Sequence, residues 1–390
     1  MNTYQLSALL AGLLLPLSAL AQGPLPPPGA PGPTMKTLDQ LDAHVTQAGE
    51  KRIPISALPF DIAKPGSYYL TQDVSGAPGI NVTVSGVTIN LNGFSITGVG
   101  KNSSVAGSGI VGLNDTVVRN GRVSDFAGDG IRLGAAAVVE NVDVANVSGV
   151  CITVGEQSHI ARCRVGAGNQ GIVVGLASII DSCLSTGNVG TNPGIQMGPF
   201  GTISNSLASY NAGDGINAGS SSAITNCVVA NNTGNGIVAS TGSKVNECTS
   251  RSNKGIGINV GSQSTVKRCT VSDYSILDGI RASNQCAISE NHIVGNLSLT
   301  GGAALHITGT NAGNCRIESN EVMQVYRGIQ VDSAGNLIIK NSVGGGISSK
   351  YQIAANNAVG VIVTTSSGAV DGSGGGSGLG TPDPWANLSY

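Results

Sequence analysis

The chain has 390 residues, of which 58 are glycine, 3% aromatic and 11% charged, and its formal net charge is −2. Soluble domains are typically about 25% charged, so this composition excludes a wide core filled by large side chains. A narrow core lined by Ile, Val and Ala is left. With no basic cluster, nucleic acid and anionic membrane surfaces are excluded as partners.

Residues 1–21 read as a secretory signal peptide. The apolar run from Leu6 to Leu17 is too short to span a bilayer and is interrupted by Pro16, and Ala19-Leu20-Ala21 offers a small-x-small cleavage site. The first twenty residues hold no Lys or Arg, so only the amino terminus supplies positive charge. Gln22 stands where a lipid anchor would need Cys. The expectation is a secreted or periplasmic protein with no membrane insertion after signal cleavage. Residues 22–34 form a Pro/Gly-rich spacer. Residues 35–70 form an N-terminal cap, opened by a short capping helix that Thr34 starts and that carries Leu38, Leu41, Val45 and Ala48 on one face.

Residues 71–363 repeat with a period of about 21 residues. Ser222 to Cys227 leads to Asn232 and Gly236-Ile237; Ser243 to Cys248 leads to Asn253 and Gly257-Ile258; Ser264 to Cys269 leads to Gly279-Ile280. The frame extends back through Cys183, Cys163, Val142, Gly121 and Phe94, and forward through Asn291, Asn320 and Asn341. Nothing recurs at 3.6 residues, so each unit is three short strands separated by bends. Each strand needs a partner for its backbone groups, which the next unit supplies in parallel register. The chirality of parallel crossovers makes the winding right-handed. The expected fold is all-β, a single-stranded right-handed parallel β-helix of about twelve coils. Residues 364–390 form a Gly-rich C-terminal tail and cap.

Stacking turns each column of the repeat into a ladder. One reads Asn188, Asn211, Asn232, Asn253 and, after a Tyr, Asn296; others read Arg122, Asp143, Arg164 and Glu247, Arg268, Glu290, with Arg119 beside Glu140. Alternating sign is what stacked charges require. Cysteines fall in the same columns: Cys163 with Cys183, Cys227 with Cys248 and Cys269, Cys286 with Cys315. Parallel neighbours hold Cβ atoms about 4.8 Å apart, beyond the mean of about 3.8 Å for a disulfide. Most of the eight thiols are therefore expected to be free and to act as small inward hydrophobes. Scattered histidines (His44, His159, His292, His306) and the lack of Cys-x-x-Cys predict no metal site, and no cofactor is expected.

The stretches Ile53 to Phe60, Pro65 to Leu70 and Val87 to Phe94, with Gly335 to Asn341 and Pro384 to Asn387, are similar to the two ends of bacterial secreted proteins with right-handed parallel β-helix repeats. The chain thus resembles, over residues 35–390, the pectin-lyase-like fold superfamily. The resemblance implies fold and export, and polysaccharides as a class of partner. The Asp-Asp pair, Gly-His-Gly and Arg-x-Lys of polygalacturonase-like enzymes do not occur here. Carboxylates before the Gly-Ile strand, Asp129, Asp214 and Asp278, lie about 19 and 14 Å apart at four and three coils. A glycosidase pair needs about 5 to 9.5 Å.

Two functions follow. The first is a non-catalytic exported module that binds a polysaccharide or cell-surface glycan or serves as a scaffold, and it takes precedence. The alternative is a polysaccharide lyase or glycoside hydrolase with a non-standard site, a reading that rests on fold analogy. No catalytic residue can be named. The candidate ligand-binding residues lie on the outward strand column Arg132, Thr153, Val173, Gln196, Asn217, Val238, Asn259, Arg281, His306, Gln330, where the repeat lengthens near its C-terminal end. Asp278 and Arg281 on one coil, His306 on the next and Arg327 and Gln330 on the one after fall within about two coil spacings, or 10 Å. The plain structural reading of the first two is an Asp278–Arg281 ion pair, since the same Asp-Gly-Ile-Arg also occurs at Asp129 to Arg132.

Overall fold

The computed structural model describes residues 52–273, 277–295, 301–309, 313–345, 348–364 and 382–390. The expected signal peptide, spacer and capping helix, together with Asn296 and the glycine-rich run up to residue 381, lie outside the described residues.

Every regular element among the described residues is a strand, and every pairing is parallel. One sheet of 14 strands runs from Phe60–Ile62 to Ser349–Ile353, taking one strand from each coil. A second sheet of 28 strands takes two from each coil, its two halves joined where Thr116–Ser124 and Val138–Ala145 run through both. The helix therefore has fourteen coils, not about twelve. The difference lies at the ends: Ile53–Ile55 already pairs with Tyr68–Leu70, and Phe60–Ile62 with Ile80–Val82. In the first coil Pro59-Phe60 stands where most later coils carry Gly-Ile. Fourteen coils at about 4.8 Å make a rod of roughly 60–65 Å.

The core is a stack of ladders. In the 14-stranded sheet Ile131, Ile152, Ile172, Ile195, Ile216, Ile237, Ile258 and Ile280 lie in register and none is exposed. Burying each such side chain contributes about 1.5–3 kcal/mol, and the identical neighbour above and below keeps the packing continuous. A glycine precedes each of these isoleucines except Ile152, which follows Cys151, because coils meet closely there. A Cβ on Gly236 would lie 2.2 Å from Ser250 Oγ and 2.4 Å from the Gly257 carbonyl oxygen.

The bends have their own chemistry. Asn188, Asn211, Asn232 and Asn253 form a buried amide ladder with Nδ2–Oδ1 distances of 2.8, 3.0 and 2.9 Å. A second one, Asn291, Asn320, Asn341 and Asn387, continues the column that holds Cys227, Cys248 and Cys269. The residue before this column takes a left-handed conformation even where it is Arg162, Glu247, Arg268 or Glu290, with φ of 52–58°. That conformation costs a non-glycine residue energy, which the stacked bonds on either side offset. Of the charge columns, Glu247 and Arg268 meet at 2.7 Å and Arg268 lies 3.8 Å from Glu290. Glu140 sits in register with Arg119 but bonds Arg162, one coil on. All eight cysteines are buried free thiols.

Candidate functional site

The outward column of the 14-stranded sheet has the register read from the repeat. Arg132 aligns with Thr153, Thr153 with Val173, Asn259 with Arg281, Arg281 with His306, and His306 with Gln330. This alignment brings all five candidate residues into one hydrogen-bonded chain across three coils.

The chain starts at Asp278, whose carboxylate is buried just before the strand Ile280–Ala282. Its Oδ1 accepts the backbone N–H of Ala303 at 2.8 Å, so one oxygen closes the stacking of the next coil. Its Oδ2 lies 2.6 Å from Arg281 Nε and 3.0 Å from His306 Nδ1. On the far side of the ring, His306 Nε2 lies 2.8 Å from Asp332 Oδ2. Gln330 Nε2 donates to Asp332 Oδ1 at 2.9 Å, and Arg327 Nη1 donates to Gln330 Oε1 at 3.4 Å. The Arg327 guanidinium also sits 5.8 Å from the centre of the Tyr326 ring.

Sequence reasoning missed Asp332. It sits one residue past the strand Arg327–Val331, outside the in-register column, and its side chain is 46% exposed. The available signal was a carboxylate directly after a Gly-Ile-x-Val strand, in the coil that follows the lone histidine of the column.

The Asp278–Arg281 ion pair is present, and it is not peculiar to this place. Asp129 Oδ2 likewise lies 2.6 Å from Arg132 Nε, and its Oδ1 accepts the Val150 N–H at 2.8 Å. Asp214 Oδ1 accepts the Asn235 N–H at 2.6 Å in the same way. Carboxylates in this column satisfy backbone donors of the next coil. Thr153 and Val173 occupy the positions that His306 and Gln330 hold at the C-terminal end. The distinctive element is therefore the imidazole with a carboxylate on each side.

Charge states follow from these contacts. Burial on its own would raise the Asp278 carboxyl, but His306, the Ala303 N–H and Arg281 outweigh it and hold the carboxyl below its usual range. Burial would lower His306, yet the two flanking carboxylates hold its pKa above the usual value. Asp332 is lowered: partial burial acts against this, while Gln330 and His306 prevail. Each ring nitrogen of His306 serves a different carboxylate, and among the described residues no group of three His, Cys, Asp or Glu gathers as a metal-ligand set.

A family model described as "Right handed beta helix region" matches residues 193–344. The A-module of the Azotobacter vinelandii mannuronan C-5 epimerase AlgE4 superposes with a TM-score of 0.53 at 13% identity, covering 73% of this chain and 90% of that one. The periplasmic alginate epimerase AlgG gives 0.48 at 12% identity, covering 83% and 89% of the two chains. The tailspike protein of E. coli bacteriophage HK620 gives 0.47 at 13% identity, with 81% and 64% covered. A search of curated protein sequences finds no match. At these identities the likeness is one of fold, and the chain is a right-handed parallel β-helix protein.

Proposed function

We propose that this chain is an exported glycan-binding module whose ligand lies along the outer face of the 14-stranded sheet. The observation that carries this reading is the column Arg281, His306, Gln330, with Arg327 beside it: cations and an amide on three consecutive coils. A polymer running along the rod would meet one polar side chain about every 4.8 Å. With His306 protonated, three cations face two carboxylates, which favours an acidic glycan over a neutral one. Export is the reading of the apolar run Leu6 to Leu17.

The same contacts support binding rather than catalysis. A general base needs an accessible nitrogen lone pair near the operating pH, whereas the charged His306 ring has none and both of its nitrogens face carboxylate oxygens. Asp278 is buried and held ionised, so it is a poor proton donor. Screening a polysaccharide panel by array and calorimetry tests the proposal. The double variant Arg281→Ala, His306→Ala should bind any ligand found at least tenfold more weakly, or about 1.4 kcal/mol. Unchanged affinity in a folded double variant places the ligand elsewhere. Sustained release of unsaturated products or new reducing ends from a uronic-acid polymer replaces binding with the lyase or hydrolase alternative.

A further inference from the structure

We infer that His306 is a proton-operated clasp which closes three coils of this face when charged and loosens the third when neutral. As regulation of ligand affinity, the inference rests on the glycan-binding reading; as a property of the free protein, it does not. An imidazole can donate from both ring nitrogens only as the cation. Here Nδ1 faces Asp278 Oδ2 at 3.0 Å and Nε2 faces Asp332 Oδ2 at 2.8 Å. Neither oxygen can donate back while both carboxyls are ionised. Loss of the proton must therefore leave one carboxylate opposite a lone pair.

Burial decides which one. The Asp278 side chain is 1% exposed and tied to the Ala303 N–H and Arg281, so stripping a donor from it is costly. Asp332 is 46% exposed and can turn to water. The proton leaves Nε2 for solvent and Nδ1 keeps its hydrogen. Asp332 then moves off and takes with it the acceptor of Gln330, whose own oxygen holds Arg327. The charged groups around the ring are Asp278 and Arg281 on the coil before, and Asp332 and Arg327 on the coil after. His292, on the other sheet, is paired with Glu321 at 3.0 Å. Opening removes a cation and turns a carboxylate outward, so an acidic glycan is held best with the clasp closed.

The test is a titration of the ring nitrogens in ligand-free full-length protein, wild type and Asp332→Asn, followed by 15N NMR. In the wild type both nitrogens should show the doubly protonated signature to a midpoint above the ordinary value of about 6.5, and then give the Nδ1–H tautomer. In Asp332→Asn the midpoint should fall, since an amide can donate to neutral Nε2. A wild-type midpoint at or below the ordinary value, an Nε2–H tautomer or an unmoved midpoint in the variant overturns the clasp. With a bound acidic polysaccharide, affinity should drop about fivefold through that midpoint, and by less in Asp332→Asn. A ligand whose affinity ignores the midpoint overturns the regulation and leaves the binding reading standing. Failure of every glycan to bind overturns the binding reading and, with it, the regulation; the titration still judges the clasp.

Discussion

His306 on one coil and Asp332 on the next are joined by an Nε2–Oδ2 contact of 2.8 Å. Together with the Asp278 contact it ties three coils, so its charge state is linked to stability. The His306 pKa is raised in the folded protein, so its contribution is complete below about 6.5 and is lost as pH rises through the folded value. Asp278 and Asp332 are lowered, so theirs is complete above about 3.9 and is lost as pH falls through their folded values. Urea unfolding near pH 6 should find His306→Gln about 1–2 kcal/mol less stable than wild type. The gap should narrow above the imidazole titration. A gap that is constant from pH 5 to 9 would assign the loss to packing alone.

The amide ladder gives a sharper contrast. Asn232 donates to Asn253 Oδ1 at 2.9 Å and to the Ala208 carbonyl at 3.0 Å, and it accepts from the Asn211 N–H and Nδ2, each at 3.0 Å. Asn232→Ala leaves these buried groups unpaired and should cost about 2–3 kcal/mol or more. Asn232→Asp places a carboxylate against two acceptors, so it should be worse than alanine at neutral pH. Acidification should bring part of that loss back, because a protonated carboxyl can donate. Equal destabilisation of the two variants at pH 7 would contradict the ladder.

The isoleucine stack should behave as a packed core. Ile237 lies in register between Ile216 and Ile258 and has no exposed surface. Ile237→Ala should lose about 2–5 kcal/mol, and Ile237→Val only about 0.5–1.5. Denaturant unfolding measures both. Near-equal losses would mean that the coil collapses around the cavity.

The thiols should be present but unreactive in the native rod. Burial pushes Cys151 up to about 12. Cys227 would lower Cys248, but its hydrogen bond with Cys269 and its burial outweigh this and raise it to about 12. Cys315 is the opposite case, lowered to about 7 by its hydrogen bond with Cys286, but it is buried. Only an accessible thiolate reacts, and all eight cysteines are buried, so labelling of the folded protein at pH 7 should be slow. After unfolding without reductant all eight should titrate, as their free state requires. Six or fewer would require a disulfide.

What the sequence determined is periodic: a 14-stranded sheet has one outward residue per coil, and a repeat of about 21 residues fixes which residue that is. The Arg281–His306–Gln330 column could therefore be written down with its register. So could the free state of most of the cysteines, since parallel columns keep Cβ atoms too far apart to bridge. The coil number could not, because the first strand of the 14-stranded sheet opens with Pro59-Phe60 in place of the Gly-Ile that marks most later coils. Only the folded structure decided the partners of the column. Arg281 turns sideways to Asp278, and His306 reaches Asp332, a residue outside the column. Register follows from backbone pairing, which repeats. Where a long polar side chain ends depends on burial and on neighbours one coil away, and those differ at every step along the rod.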